Sequence, residues 1–205
     1  MLTPVIKALL IANGLVFLLE LRFTEPLLGL FALWPLAPQA VAGGQAMPFH
    51  PWQLVSYAFL HGNLLHLGFN MYALWLFGTR LERLWGSRRF ALYYFVCVLG
   101  AGLVQLVVAS WSARGGAVFP TIGASGGVFG ILLAFGLTFP NEVLMLLFPP
   151  VAMKAKWFVL LYGAVELWAG VTGTQAGVAH FAHLGGMLFG YLLLVYWRGG
   201  ARRRW

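Results

Sequence analysis

Six apolar segments dominate this chain and limit the folds that it can adopt. They cover residues 5–21, 54–77, 90–109, 125–139, 157–171 and 178–197. About 20 apolar residues in a helix span a bilayer, and several segments approach or exceed this length, although the fourth is short, at about 15 residues. Only 9% of the residues are charged and 61% are hydrophobic, whereas soluble domains are about a quarter charged. The sequence predicts an all-α polytopic membrane protein, folded as one six-helix domain over residues 1–205.

The basic residues predict how this domain lies in the membrane. The net charge is +8, but the basic residues fall between the apolar segments, which favours a role in topology over nucleic-acid binding. With a cytoplasmic N-terminus, only Arg22 and Arg114 of the 13 basic residues fall outside. The cytoplasmic set is Lys7, Arg80, Arg83, Arg88, Arg89, Lys154, Lys156, Arg198, Arg202, Arg203 and Arg204. We therefore predict cytoplasmic termini, and the plain six-span form favours a prokaryotic cytoplasmic membrane.

The connections between the spans differ in composition. Residues 22–51 contain five prolines and a Gly43-Gly44 pair, which predict an interfacial loop with short helical pieces. Residues 79–89 form a basic turn, and residues 141–156, with Pro149-Pro150 and two lysines, form an interfacial connection. Shorter loops are predicted at 110–120 and 172–177.

A serine among small residues begins the fourth apolar segment. Residues 121–130 read TIGASGGVFG and leave little side-chain bulk around Ser125. A second track of small residues surrounds His183 in the sixth segment, at Ala182, Gly186 and Gly190. Such tracks let membrane helices pack closely. Packing one on the other places Ser125 beside His183, in the outer half of the bilayer where both segments begin.

The pairing of Ser125 with His183 predicts nucleophilic catalysis. A serine hydroxyl needs an adjacent base, and neutral imidazole serves near physiological pH. The chain has no aspartate, and the sequence does not place Glu166 beside His183, so a serine–histidine dyad oriented by packing is the economical interpretation. His180 competes for the role of base, but the glycines after His183 favour the latter. Phe129, one turn after Ser125, could stack on His183 or simply pack in the core.

Further polar residues of the second span are candidates to support this chemistry. His66 and Asn70 are four residues apart and share a helix face, so both could donate to an oxyanion. The backbone N–H of Ser125 is a further candidate donor. His61 is half a turn out of phase with Asn70 in a regular helix, which favours a structural role in holding the preceding loop.

In these motifs the sequence resembles the rhomboid family of intramembrane serine proteases, over spans two to six. The matching motifs are His61-x4-His66-x3-Asn70, Glu82-x3-Gly86, Gly123-Ala124-Ser125-Gly126 and Ala182-His183-Leu184-Gly185-Gly186-x3-Gly190.

The resemblance implies a rhomboid-like bundle with Ser125 as nucleophile and His183 as base. His66 and Asn70 would contribute to the oxyanion site. It also implies water entering from the outer side, no metal or cofactor, and transmembrane protein substrates cleaved near the outer face amid membrane lipid. Some family members carry Trp-Arg in the first loop, where this chain has Trp52-Gln53.

Two other classes of function stay open. A metal-dependent enzyme could use His61, His66, His180 and His183, but no His-Glu-x-x-His occurs and no carboxylate accompanies the histidines in sequence. A non-catalytic rhomboid-like factor that binds membrane proteins, or a transporter, is the second alternative; the inverted repeats of transporters are not evident. The sequence assigns no oligomeric state.

Overall fold

The computed structural model describes residues 2–36, 47–115, 118–145, 150–173 and 179–202, and this part of the chain is predominantly helical. The helices are α1 (Pro4–Phe31), α2 (Gln53–Ser56), α3 (Leu64–Ala73), α4 (Thr79–Trp85), α5 (Ser87–Ala113), α6 (Ser125–Thr138), α7 (Ala155–Thr172) and α8 (His180–Arg202). A 3-10 turn at Tyr57–Phe59 follows α2, and a π-helical turn at Leu74–Gly78 joins α3 to α4.

Helix α1 extends ten residues further than the predicted first span. Residues 22–31, where we predicted an interfacial loop with short helical pieces, form the last part of this helix. The helix bends at Phe23, where φ is −126° and ψ is 42°, three residues before Pro26. A proline lacks an N–H and crowds the carbonyl of the preceding turn, so the helix bends here and then continues. Residues 37–46, including Gly43-Gly44, lie outside the described part.

The predicted second span, 54–77, is not one helix. Helix α2 ends at Ser56, the 3-10 turn that follows it ends at Phe59, and α3 begins only at Leu64. The Asn63 side chain starts α3 by accepting the backbone N–H of His66 at 2.8 Å. His61 consequently lies between helices.

The segment predicted as a basic turn at residues 79–89 is mostly helical. Helix α4 occupies Thr79–Trp85, and α5 already begins at Ser87. Gly86, with φ at 78°, is the single residue that separates the two helices. Glycine adopts this conformation without steric cost, so the chain can turn sharply here.

Helices α5, α6 and α8 pack around the tracks of small residues. A Cβ on Gly186 of α8 would collide with the carbonyl of Gly126 on α6. A Cβ on Gly130 would collide with the Cys97 side chain of α5 and lie 3.0 Å from the Gly186 carbonyl. The predicted packing of the two tracks is confirmed. The sixth segment, predicted from residue 178, begins in the described part at His180.

A short hairpin occupies the connection predicted at residues 141–156. Strands β1 (Val143–Met145) and β2 (Ala152–Lys154) are antiparallel, with Val143 opposite Lys154. Residues 146–149 lie outside the described part. An exposed ion pair joins this connection to α4, since Arg80 Nη1 lies 2.7 Å from Glu142 Oε1. Within the described residues, this hairpin is the one sheet of the fold.

The protein has the surface of a membrane protein. Among the described residues, α1 and α5 are long and apolar enough to cross a bilayer, and α6 is a shorter apolar helix. Large apolar side chains on the outside of the bundle include Trp157, Leu161 and Trp168 of α7 and Leu192 and Tyr196 of α8. An exposed apolar surface of this extent suits lipid. The number of six spans stays a prediction.

Candidate active site

The loop before α6 holds Ser125 in a fixed place. Thr121 pairs with Leu33 through two backbone hydrogen bonds of 2.9 Å, and the Gly123 N–H donates to the Tyr57 carbonyl at 2.9 Å. Ser125 then begins α6, half-buried, so its own N–H is among those without an intrahelical acceptor. The serine therefore lies at a helix N-terminus that is held by two other segments, one at Leu33 and one at Tyr57.

Gly123 brings an imidazole close to this serine. Its φ of 122° is rarely adopted by residues with a side chain. A Cβ built on Gly123 would lie 2.7 Å from His66 Nε2 and 3.6 Å from Ser125 Oγ. Only glycine therefore leaves room for the His66 ring against this backbone, next to the serine hydroxyl.

His183 is the imidazole that contacts the serine directly. Its Nε2 lies 2.7 Å from Ser125 Oγ. The Phe129 ring stacks on the imidazole with centroids 4.2 Å apart and an interplanar angle of 6°. His183 is 7% exposed, so its ring is held between neighbours. His180 lies on the same helix, and its Nδ1 lies 2.6 Å from Glu166 Oε2.

Glu166 of α7 is a member of this cluster that sequence reasoning missed. Its Oε2 lies 2.8 Å from Nδ1 of His183 and 2.6 Å from Nδ1 of His180. The interpretation that no carboxylate accompanies these histidines, and that packing alone orients His183, is therefore wrong. A glutamate within a predicted span was the available signal, because an ionisable residue there is costly without a partner.

The second predicted pair, His66 and Asn70, lies on α3. Asn70 is 5% exposed, and its Nδ2 donates to the His66 carbonyl at 2.9 Å. The same nitrogen carries a second N–H, which is the donor that an oxyanion role requires. His66 thus borders the serine. The hydrogen bond from the Asn70 amide goes to a backbone carbonyl of its own helix.

His61 makes contacts that hold the chain between α1 and α3. Its backbone N–H donates to the Glu20 carboxylate, at 3.0 and 3.2 Å from the two oxygens. Its ring packs edge-on against that of His66, with centroids 5.0 Å apart. These contacts fit the structural role expected for His61. The phase argument behind that expectation does not apply, since the helix begins after His61.

A cavity of about 1000 Å³ lies between α1 and α3. Glu20, His61 and Ile122 are among its lining residues, and most of the others are apolar. Ser125 and His183 do not line it. The cavity therefore borders His61 and not the pair of Ser125 and His183.

Gln53 stands where some family members carry the arginine of Trp-Arg. Its side chain joins the backbone on both sides of the first loop. It is fully buried, and its Oε1 accepts the backbone N–H groups of Trp34 and His50 at 3.3 and 3.2 Å. The exposed Trp52 next to it stacks on His50 with centroids 4.3 Å apart. An uncharged amide suits this enclosed position, because it satisfies backbone groups without burying a charge.

Known proteins resemble this chain over most of its length. A sequence model of the Rhomboid domain matches residues 48–199. Rhomboid protein 1, mitochondrial, of Saccharomyces cerevisiae is 35% identical over 139 residues, which cover 68% of this chain and 40% of the yeast protein. Presenilin-associated rhomboid-like protein, mitochondrial, of Rattus norvegicus is 31% identical over 145 residues, or 67% of this chain and 36% of that protein. The chain spans less than half the length of these relatives.

A third relative is bacterial. Rhomboid protease GluP of Bacillus subtilis is 37% identical over 81 residues, which cover 40% of this chain and 14% of that protein. The relatives from yeast and rat are both named mitochondrial, so the comparisons give no support to the predicted prokaryotic membrane. The resemblance seen in the motifs is confirmed, because the domain match includes every one of them. The chain belongs to the rhomboid family.

Proposed function

We propose that the protein is an intramembrane serine endopeptidase that cleaves transmembrane substrates near the outer face of the membrane. The observation that carries the proposal is the distance of 2.7 Å between Ser125 Oγ and His183 Nε2, on two helices that glycines bring together. A nucleophile and base at hydrogen-bond distance are the minimum for acyl transfer by serine. The relative named a protease supports this by analogy.

The proposed reaction uses the two side chains in turn. The Ser125 hydroxyl gives its proton to His183 Nε2 as Oγ bonds to the substrate carbonyl carbon. The tetrahedral intermediate then expels the amine as the C–N bond breaks, and the leaving nitrogen takes the proton from His183. Water, with His183 again as base, hydrolyses the acyl-enzyme and restores the serine.

The negative oxygen of the tetrahedral intermediate needs donors. We assign this role to His66, which borders Gly123, together with the second N–H of the Asn70 amide and the backbone N–H of Ser125. The stack on Phe129 holds the His183 ring during turnover. Each role is a proposal for the residue in this chain.

The substrate class follows from the chemistry of a membrane helix. Its peptide carbonyls are engaged in intrahelical hydrogen bonds, so segments that unwind easily are favoured, with small or helix-breaking residues. We propose one domain over residues 1–205 with six spans and both termini on the side rich in basic residues. The proposed partners are transmembrane substrates and the surrounding lipid.

A second candidate is a metal-dependent hydrolase. One ligand atom from each of Glu166, His180 and His183 lies within 4.8 Å of the others, a grouping that could hold a metal ion. Hydrogen bonds account for the same geometry, since the nitrogen–oxygen distances are 2.6 and 2.8 Å. A chelator therefore separates the two candidates.

The test is labelling by a fluorophosphonate, which reacts with activated serines. Detergent-solubilised wild type, Ser125→Ala and His183→Ala are compared, with Ser112→Ala of α5 as the matched serine control. We expect labelling of the wild type and of Ser112→Ala, no labelling of Ser125→Ala, and no change on adding a chelator.

The contrary outcomes point to the other candidates. Equal labelling of Ser125→Ala, or a folded wild type that stays unlabelled, overturns the protease proposal and leaves the non-catalytic binding factor. Cleavage of a transmembrane substrate that stops when a chelator is added favours the metal-dependent enzyme.

A further inference from the structure

Glu166 is a buried carboxylate placed against the side of His183 that faces away from the serine. One of its oxygens, Oε2, lies within hydrogen-bond distance of Nδ1 of both His183 and His180. All three residues are buried, with 8% of Glu166, 7% of His183 and 6% of His180 exposed. A carboxylate within a membrane helix is costly unless it is paired, so this placement calls for a reason.

The shared oxygen fixes the protons on both imidazoles. An ionised carboxylate oxygen only accepts, so each facing Nδ1 must carry a hydrogen and donate it. Neutral imidazole holds one proton, which leaves Nε2 of His183 as an acceptor directed at Ser125 Oγ, 2.7 Å away. The contact with Glu166 therefore selects the tautomer that a general base needs.

The same contact places a carboxylate beside the ring at the step in which His183 holds the serine proton. When His183 takes the serine proton, its imidazolium charge lies beside an anion in a largely apolar surrounding, where the attraction is stronger than in water. The other described titratable side chains near the ring are His180, on α8, and His66, on α3. Glu166 is the one among them that can offer a negative charge.

Helix packing holds α7 near α8 at this level. A Cβ on Gly170 of α7 would lie 3.3 Å from His180 Cβ and 3.2 Å from the ring of Phe181. Gly170 is one helical turn after Glu166, on the same face of α7. Close approach here brings the carboxylate within reach of both histidines, and His180 supplies a second donor that keeps Oε2 in place.

We propose that Glu166 is a positioning residue of the active site, so that the chain works with a Ser125–His183–Glu166 triad instead of a dyad. His180 anchors the carboxylate. This inference rests on the proposed function, since it concerns the reactivity of the same serine.

The test compares the labelling kinetics of wild type and Glu166→Gln with the fluorophosphonate. Glutamine keeps the size of the side chain but removes its charge and can present an N–H to Nδ1. We expect the maximal labelling rate to fall about 10²–10⁴-fold while the half-saturating probe concentration stays unchanged. Glu142→Gln, which changes an exposed glutamate, should label like wild type.

A purely structural role gives a different result. Glu166→Gln would then melt at a lower temperature, while the labelling rate per folded molecule would equal that of wild type. That outcome overturns the triad and leaves the protease standing, provided that Ser125→Ala remains unlabelled. A wild type that never labels overturns both.

A second measurement does not require Glu166→Gln to fold. In wild type with ¹⁵N-labelled histidine rings, we expect the His183 resonances to show a protonated Nδ1 and an unprotonated Nε2, assigned by their loss in His183→Asn. A His183 that carries its proton mainly on Nε2 contradicts the inference.

Discussion

Gly123 sets how closely the His66 ring approaches the serine. Its backbone has a φ of 122°, and His66 Nε2 lies 2.7 Å from the position that a Cβ would take. The same peptide is fixed by the hydrogen bond from its N–H to the Tyr57 carbonyl. One residue without a side chain therefore meets two requirements, a backbone turn and room for the ring.

Replacing Gly123 with alanine should disturb both. We expect Gly123→Ala to lose about 1–3 kcal/mol of stability from backbone strain and to label with fluorophosphonate at a reduced rate, because the methyl group displaces His66. Thermal unfolding in detergent and the labelling rate measure the two effects. Gly68→Ala on the exposed surface of α3 is the control, since the Cβ that alanine adds there would meet no atom from outside its own stretch of helix within 4 Å. Wild-type rates in Gly123→Ala would contradict the assigned position of His66.

Sequence reasoning identified Ser125, His183 and His66 but not Glu166. Ser125 and His183 stand on tracks of small residues, which indicate close packing. His66 stands four residues before Asn70 on one helix face. Glu166 is in an otherwise apolar stretch, and its use depends on which face α7 turns to α8. That orientation follows from contacts between helices, so the spacing of residues along α7 could not supply it.

At the scale of elements, Glu82 joins the start of α1 to the α4–α5 junction. Its carboxylate accepts the Val5 and Ile6 N–H groups at 2.9 and 3.0 Å, and the hydroxyls of Thr3 and Ser87. These N–H groups lack intrahelical acceptors, so a carboxylate from another element satisfies them and complements the helix dipole. The Glu82-x3-Gly86 motif thus has a structural explanation.

This contact predicts how stability depends on pH. Burial favours a raised pKa for Glu82, but the hydrogen bonds from Ser87, Thr3, Val5 and Ile6 outweigh it and hold the pKa below its usual value. The folded state therefore binds the proton less tightly than the unfolded state. The stabilisation is complete above the unfolded pKa of about 4.3 and is lost as pH falls through the lower folded pKa.

Glu82→Gln measures this dependence. We expect the variant to lose about 1.5–3 kcal/mol of unfolding free energy at pH 7 in micelles, because a charged acceptor is removed. The difference from wild type should shrink as pH falls below about 4.3. Glu25→Gln, at an exposed site of α1, should follow wild type throughout. A difference that does not change with pH would show that the Glu82 charge has no part in it.

At the scale of the whole molecule, the charge distribution predicts the orientation in the membrane. Lys154 is the last residue of β2 and Arg114 follows α5, so an arrangement with six spans places them on opposite sides. The single cysteine, Cys97, is buried, which leaves little background for thiol labelling. The topology can therefore be read from two introduced cysteines.

Sealed, uniformly oriented vesicles supply that test. We expect Arg114→Cys to react with an impermeant maleimide from the outer side, and Lys154→Cys to react only after permeabilisation. Reaction of both cysteines from the same side would show that the predicted topology is wrong. Fluorophosphonate labelling of both variants checks that each is folded.

The sequence by itself determined that this is a helical membrane protein of the rhomboid family, with a serine and a histidine on two tracks of small residues. Hydropathy and glycine spacing are local properties of the chain, so both are visible in the sequence. Only the tertiary structure decided that α1 continues past its kink, that α3 begins after His61, and that Glu166 reaches the histidines. Those features depend on contacts between residues distant in sequence, so the packing of the bundle decides them.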